Sequence, residues 1–129
     1  MEAMIITDLS STTYLGDFVT ARWSAEASEE RIEQAPEHRH HACREGWYVL
    51  KGSLGFRIDG EEITAPAGTL VIVEPGEVHT FWNASDQETD YLIFMTPKTQ
   101  ELVESIHSME DRSWPALKAL FVKYDAELL

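Results

Sequence analysis

The chain has 129 residues, a formal net charge of −13 and one cysteine, and these quantities exclude several classes of protein. The length is typical of one domain with one hydrophobic core. A strongly acidic chain repels phosphate backbones and anionic lipid surfaces, so we expect no nucleic acid and no membrane among its partners. Cys43 has no second cysteine to pair with, which agrees with a reducing compartment.

The segment of residues 1–16 carries no motif. Residues 1–8 lack the basic start and the long apolar stretch of a signal peptide, so we expect a cytoplasmic protein. Residues 3–7 are apolar and β-prone and can form an added edge strand on a sheet, including the sheet of a neighbouring copy. A homodimer is therefore our expectation for the oligomeric state.

Residues 17–97 consist of short β-prone segments separated by turn signals. The polar stretch 24–36 predicts a loop, which can hold a helical turn around residues 28–31. Asp59 and Gly60 are a strong hairpin signal between two strands. Residues 69–73 are almost continuously apolar and predict a strand that is covered on both faces. Many short antiparallel strands at close spacing predict an all-β sandwich or barrel.

Residues 98–129 have a helical period instead. Thr96 can cap a helix with Pro97 at its first position, and a second helix can start at Ser113. We expect the apolar stripes of these helices to pack on the β-domain, with a dimer contact as the alternative. The stripes consist of Leu102, Val103, Ile106 and Met109 in the first helix and of Leu117, Leu120, Phe121 and Tyr124 in the second.

Three histidines and one glutamate are candidates for a metal site. His38 and His40 are two residues apart, and on a strand this spacing points both imidazoles to the same face. His41 then falls on the opposite face. Glu45 opens the next apolar segment, and His79 opens another strand after a Pro-Gly turn. Imidazole and carboxylate groups at the starts of neighbouring strands can converge on one ion.

The spacing of glycines and turn residues around these candidate ligands resembles the two motifs of the cupin superfamily. Residues 38–52 contain two histidines separated by one residue, then a glutamate, and then Gly52 after six more residues. Residues 68–83 begin with a glycine and contain a Pro-Gly turn, His79 and Asn83. Both motifs are present at the usual separation.

This resemblance implies a single small jelly-roll (cupin) β-barrel over residues 17–97, followed by a short C-terminal helical segment. Glu74 stands where many members have a proline that shapes the turn, and this departure leaves the ligand set intact. The set suits one divalent transition metal ion, Fe, Mn, Ni, Cu, Co or Zn, without choosing among them. The implied metal ligands are His38, His40, Glu45 and His79.

The residues that follow the ligands on the same strand faces predict the substrate pocket. Alternation places Trp47 and Val49 inward after Glu45, and Phe81 inward after His79, while Phe56 alternates inward on a neighbouring strand. An apolar, aromatic pocket suits a small flat or hydrophobic molecule better than a sugar phosphate. The alternative is that these residues only fill the interior of a small barrel.

Four further residues are expected to lie outside the site. Arg22 and Arg57 could meet an anionic ligand, but we expect both to lie outside the pocket. His107 should be a surface residue of the helical segment. Cys43 should be a small loop residue and not a nucleophile, because no general base is tied to it by any motif.

The resemblance supports three hypotheses about function. The first is a metal-dependent oxygenase, similar to quercetinases, that acts on a small phenolic or enol-type substrate with Glu45 as the proton acceptor. The second is a non-redox isomerase, lyase or decarboxylase that uses the ion as a Lewis acid. The third is a small-molecule-binding module without turnover.

Overall fold

The computed structural model describes residue 9 and residues 12–129, so the strand predicted at residues 3–7 lies outside the described part. Within that part, ten strands and two helices follow one another. Their bounds are β1 Thr13–Tyr14, β2 Val19–Ala25, β3 His38–His40, β4 Glu45–Lys51, β5 Ser53–Ile58, β6 Glu61–Pro66, β7 Leu70–Val73, β8 His79–Asn83, β9 Thr89–Met95, α1 Pro97–Ser108, α2 Trp114–Lys123 and β10 Ala126–Leu128.

The strands form a jelly roll of two antiparallel five-stranded sheets. Sheet A has the order β1-β2-β9-β4-β7, and sheet B has the order β10-β3-β8-β5-β6. The all-β prediction is confirmed, but the sheets do not close into a continuous barrel. Sheet A ends in β1 and β7, and sheet B ends in β10 and β6. In the described part of the chain, no edge strand of one sheet pairs with an edge strand of the other, so the hydrogen-bonded ladder does not continue between them.

The hydrophobic core lies between the facing sides of the two sheets, as period-two alternation requires. In β9, for example, Tyr91, Ile93 and Met95 point inward and are at most 3% exposed. In β5, Leu54 and Phe56 point inward and are fully buried. Inward residues of both sheets therefore form one shared core.

The prediction that the apolar run at residues 69–73 is covered on both faces is wrong. Val71 and Val73 in β7 are buried, but Leu70 and Ile72 are 53% and 49% exposed. The reason is that β7 is an edge strand of sheet A, paired only with β4, and no described element lies over its outer face. The continuous apolar run of β7 therefore has one side in the core and one side that is apolar but exposed.

The helix starts were predicted correctly. The Thr96 side chain accepts a hydrogen bond from the Thr99 amide, and the Ser113 side chain accepts one from the Ala116 amide. These caps satisfy amide groups that have no partner inside the helix. In the described part of the chain, neither helix is long and apolar enough to cross a membrane.

The strand β10 was not predicted from the sequence. This strand follows α2 and pairs antiparallel with β3, so that Ala126 lies opposite His40 and Leu128 lies opposite His38. It packs with Leu102 of α1 and Phe121 of α2 in a second apolar cluster. The C-terminal segment is therefore not only helical, because it extends sheet B beside the strand that carries two candidate metal ligands.

A clamp on the outer face of sheet B holds the chain that leads into β3. The indole of Trp82 lies over Gly55 of the neighbouring strand, and the guanidinium of Arg31 stacks on it at 3.8 Å from the ring centroid. Arg31 also forms a salt bridge with Glu62 at 2.9 Å. The segment 26–37 is thereby attached to the sheet through a cation–π contact and an ion pair.

The same segment does not contain the helical turn that the sequence allowed. Residues 26–37 are extended or bent, and Glu33 forms an isolated β-bridge with Trp82. Arg57 adds salt bridges to Glu33 and Glu37. Pairing of this segment with the sheet provides the hydrogen bonds that its backbone groups would have formed within a helical turn.

The Trp82–Gly55 contact predicts a strong effect of a single added methyl group. A Cβ at position 55 would lie 2.2 Å from the Trp82 Nε1 atom, so the indole would have to move. We expect Gly55→Ala to lower the free energy of unfolding by about 1–3 kcal/mol, measured by urea denaturation.

Gly46→Ala is the matched control, because a Cβ at position 46 would meet its nearest atom at 3.6 Å, an ordinary contact. The control should change stability by less than Gly55→Ala. Equal unfolding midpoints for the two variants would show that the position of the Trp82 indole does not require a glycine at position 55.

Candidate metal centre

Four buried side chains converge between the two sheets. His38, His40, Glu45 and His79 each present one ligand atom, and these four atoms lie within 4.8 Å of one another. The residues are 8%, 4%, 6% and 1% exposed, respectively. This convergence is the geometry that a single ion requires.

The strands place each of these residues without help from a flexible loop. His38 and His40 occupy alternate positions of β3 and so share its inward face. His79 opens β8, the neighbour of β3, and lies directly opposite His38 in the register. Glu45 opens β4 in the other sheet. Three imidazoles from sheet B therefore face one carboxylate from sheet A.

Backbone carbonyls orient two of the imidazole rings. The Nδ1 atom of His38 lies 2.8 Å from the Pro36 carbonyl oxygen, and the Nδ1 atom of His79 lies 3.0 Å from the Glu77 carbonyl oxygen. A carbonyl can only accept, so Nδ1 carries the proton and donates in both rings. Metal-binding histidines are commonly oriented in this way, with the other ring nitrogen free for the ion.

The Glu45 carboxylate is shared by two imidazoles. Its Oε1 atom lies 3.1 Å from His79 Nε2 and 2.8 Å from His40 Nε2. The His79 contact is a hydrogen bond, whereas His40 Nε2 is not aligned for one and has no hydrogen-bond partner. A buried polar nitrogen without a partner is costly, and an ion between these atoms would satisfy it.

Burial and mutual contacts shift the pKa values of the group. Burial, assisted by the neighbouring His79, lowers the pKa of His38 to about 4, so this ring is neutral near pH 7. Burial alone would raise the pKa of Glu45, but its contacts with His40 and His79 hold that pKa well below the usual range. Burial opposes protonation of His79, yet the hydrogen bond to Glu45 raises the His79 pKa overall. The contact between His79 and Glu45 thus favours the ionised carboxylate and the protonated imidazole together.

The residues present fit a divalent transition metal ion. Three imidazole nitrogens and one carboxylate oxygen suit Fe, Mn, Co, Ni, Cu or Zn, and none of these needs a thiolate. The orphaned His40 nitrogen and the ionised Glu45 both favour a cation at the centre. The group could therefore bind one metal ion, and its chemistry does not identify which.

A cavity of about 690 Å³ opens onto this group. His38, His40 and Glu45 line its base, and most of the other walls are aromatic or aliphatic. The walls from the sheets include Trp23, Trp47, Phe81, Tyr91 and Ile93, and those from the helices include Leu102, Val103, Ile106, Leu117 and Phe121.

Two of the four predicted pocket residues line this cavity. Trp47 and Phe81 do so, and their ring centroids lie 5.4 Å apart. Val49 and Phe56 do not: both are fully buried in the core, farther along their strands from the metal group. The reason is that the interior of a small jelly roll is filled by its own side chains beyond the first inward positions. Contact of any of these residues with a substrate remains a prediction.

The helical wall of the cavity is the feature that sequence reasoning missed. The apolar stripes of α1 and α2 were expected to pack on the β-domain, but several of their residues also face the cavity. Phe121 is 3% exposed, and its ring lies 5.5 Å from that of His38, with the two planes at 70°. Periodicity identified the stripe, and no signal in the sequence indicated what would lie opposite it.

The residues expected outside the metal group do lie outside it. His41 is exposed, and Cys43 is partly buried, with its sulfur 3.2 Å from the Thr96 hydroxyl. Arg22 borders the cavity, but its guanidinium pairs with Asp90 at 2.7 Å.

Arg57 lies away from the cavity, whereas His107 lines it. Arg57 faces outward on sheet B, where it takes part in the ion pairs of the clamp. His107 is exposed, as expected for a surface residue, but it also lines the cavity.

Replacing a histidine of the group should abolish tight metal binding. Loss of a hydrogen-bond partner of a metal ligand lowers metal affinity by roughly 10–100-fold. Loss of a ligand itself should cost more, so we expect His38→Ala, His40→Ala and His79→Ala each to lower metal affinity beyond that range. The measurements are metal content after dialysis and calorimetric titration with Zn(II).

His41→Ala and His107→Ala are the matched controls, because both residues are exposed histidines outside the group. They should retain full metal content. Retention of metal by the three ligand variants would refute the site.

Solved structures with the same fold come from proteins of different activity. The chain is similar to a conserved protein with a double-stranded β-helix domain from Klebsiella pneumoniae, with a TM-score of 0.56, 24% identity, and coverage of 67% of this chain and 74% of that chain. It is similar to a sugar phosphate isomerase from Silicibacter pomeroyi, with a TM-score of 0.55, 23% identity, and coverage of 64% and 52%. It is also similar to a variant of salicylate 1,2-dioxygenase from Pseudoaminobacter salicylatoxidans, with a TM-score of 0.55, 20% identity, and coverage of 67% and 25%.

Identities this low establish a shared fold and nothing about the reaction. No curated protein sequence matches the chain. The cupin domain family does match, over residues 30–95, which make up 66 of the 129 residues. That stretch contains all four residues of the metal group. The family match and the two-sheet jelly roll agree, and this protein therefore belongs to the cupin family.

Proposed function

We propose that this protein is a metal-dependent oxygenase that acts on a small organic substrate of phenolic or enol type. The observation that carries the proposal is the combination of the metal group with an apolar, aromatic cavity of about 690 Å³. When bound, a redox-active ion would supply Lewis-acid and redox chemistry to the oxygen atoms of such a substrate.

The shape and polarity of the cavity favour a flat, hydrophobic substrate. Trp47, Phe81 and Tyr91 present aromatic rings whose neighbouring centroids lie 5.4 and 5.8 Å apart. Burial raises the pKa of Tyr91, so its phenol stays neutral and does not add a charge to the wall. Apolar walls contribute binding through burial of the substrate's own apolar surface, and they keep water away from the metal group.

Glu45 is the residue best placed to take a proton from the substrate. Its carboxylate lies at the base of the cavity, and its contacts with His40 and His79 keep it ionised. A general base must be ionised and within hydrogen-bond reach of the proton that it accepts. We therefore assign Glu45 two roles, as a metal ligand and as the acceptor of a proton from a substrate hydroxyl group.

Solved structures similar to this chain include a sugar phosphate isomerase, so an isomerase is the second candidate. The mainly apolar walls of the cavity favour the phenolic or enol-type substrate, because a sugar phosphate presents many hydroxyl groups that need hydrogen-bond partners. If experiment contradicts an oxygenase, a non-redox reaction or binding without turnover becomes the better proposal.

Oxygen consumption tests the proposal directly. Protein reconstituted separately with Fe(II), Mn(II), Co(II), Ni(II), Cu(II) or Zn(II) should be supplied with catechols, flavonols and β-diketones in an oxygen electrode. We expect uptake that depends on both the substrate and a redox-active metal, and no uptake with Zn(II). Full metal loading without oxygen uptake from any substrate of the panel would contradict an oxygenase.

Glu45→Gln tests the second role of the carboxylate. The amide can keep an oxygen near the ion but cannot accept a proton, so we expect kcat to fall by about 10²–10⁴-fold in protein that retains metal. Glu74→Gln is the control, because Glu74 is an exposed carboxylate that pairs with Arg44 outside the metal group. Unchanged turnover in metal-loaded Glu45→Gln protein would remove Glu45 from the proton transfer.

Two further properties are part of the proposal. A cytoplasmic location is supported by the presence of a single cysteine, and a partner set without nucleic acid is supported by the net charge of −13. A homodimer is supported by the apolar outer side of β7, where Leu70 and Ile72 are about half exposed.

A further inference from the structure

The cavity wall formed by α1, α2 and their connection carries a positive charge at Arg112. The cavity residues contributed by α1, α2 and their connection lie beyond residue 95, where the cupin domain match ends. Phe121 is buried beside His38, and Leu102 is buried in the same apolar cluster as Phe121. His107 and Arg112 line the same cavity and are exposed. The helical wall therefore changes from buried apolar side chains to the exposed guanidinium of Arg112.

Arg112 differs from every other arginine of the chain. The sequence has six arginines, and in the described part of the chain five of them form salt bridges with carboxylates, whereas Arg112 forms none. The five that are paired are Arg22, Arg31, Arg39, Arg44 and Arg57. In a protein with 23 acidic and 10 basic residues, a guanidinium without a carboxylate partner at a cavity is unexpected.

In the described part of the chain, the acidic residues next to Arg112 in the sequence form no salt bridge with it. Asp111 accepts a hydrogen bond from the Ser113 amide at 2.9 Å at the start of α2. Neither Glu110 nor Asp111 lines the cavity. Arg22 also borders the cavity but is paired with Asp90, so in the described part of the chain Arg112 is the guanidinium of the lining that has no carboxylate partner.

Backbone contacts hold the guanidinium at this position. Its Nη2 atom donates to the His107 carbonyl oxygen at 3.2 Å, and its Nε atom makes a long contact of 3.5 Å with the Met109 carbonyl oxygen. These carbonyls end α1, so the contacts also offset the negative end of the helix dipole. A guanidinium has five N–H groups, and the remaining ones are available to a ligand.

We propose that Arg112 selects substrates that carry a carboxylate on the end remote from the metal, with His107 beside it at the exposed end of the cavity. The inference rests on the proposed function and narrows its substrate class to phenolic or enol-type carboxylic acids. One planar guanidinium can bind a carboxylate through two parallel hydrogen bonds, and its single positive charge matches the single negative charge of a carboxylate.

The test compares two probes that differ only in charge. 3-(3,4-Dihydroxyphenyl)propionate and its primary amide both carry a catechol that can chelate the ion, and calorimetry with Zn(II)-loaded protein measures binding without turnover. We expect the wild-type protein to bind the acid about three- to tenfold more tightly than the amide at low salt. The preference should shrink at high salt, because screening weakens the attraction between exposed charges.

The variant Arg112→Gln should bind the amide as the wild-type protein does and should lose the preference for the acid. Lys118→Gln is the matched control, because it removes one positive charge from an exposed position of α2 that does not line the cavity. This control should retain the preference.

The possible failures are distinguishable. Equal binding of acid and amide by the wild-type protein, or an unchanged preference in Arg112→Gln, would overturn the role of Arg112 and leave the proposed oxygenase in place. An equal loss of both probes in Arg112→Gln would show that Arg112 only supports the fold of the helical wall. If Zn(II)-loaded wild-type protein bound neither probe, the proposed phenolic substrate class would fail, and this inference with it.

Discussion

The arrangement of four polar side chains at one buried point constrains the rest of this structure. Three imidazoles and a carboxylate lie between two sheets whose facing sides are otherwise apolar. Such groups are expensive to bury without partners. The Glu45 carboxylate from the opposite sheet contacts two of the three rings, and an ion at the centre would bind all three. The two sheets must therefore face each other at the level where Glu45 meets His40 and His79.

The strand β3 carries two of these side chains, and the chain supports it on each side. On one side β10 pairs with it in register, and on the other side β8 brings His79 opposite His38. The segment that leads into β3 is attached to sheet B by the clamp of Arg31 on Trp82. A three-residue strand has little stability of its own, so the position of its histidines depends on these neighbours.

The cavity has two parts of different origin. The base belongs to the strands that match the cupin family, whereas one wall belongs to α1, α2 and their connection, which lie beyond the matched residues. Similar jelly rolls occur in a variant of a dioxygenase and in a sugar phosphate isomerase, at 20% and 23% identity. In this chain the strands position the metal group, and α1, α2 and their connection supply one wall of the cavity beside it.

The sequence by itself determined the features that depend on local rules. Strand alternation placed His38 and His40 on one face, side-chain caps started both helices, and the motif spacing identified Glu45 and His79 as their partners. The tertiary structure decided what lies opposite each face. Periodicity could not show that β7 lies at a sheet edge, that three C-terminal residues form β10, or that Phe121 packs against His38. A periodic pattern reports which side of an element is apolar, but the surface that covers that side comes from residues distant in the chain.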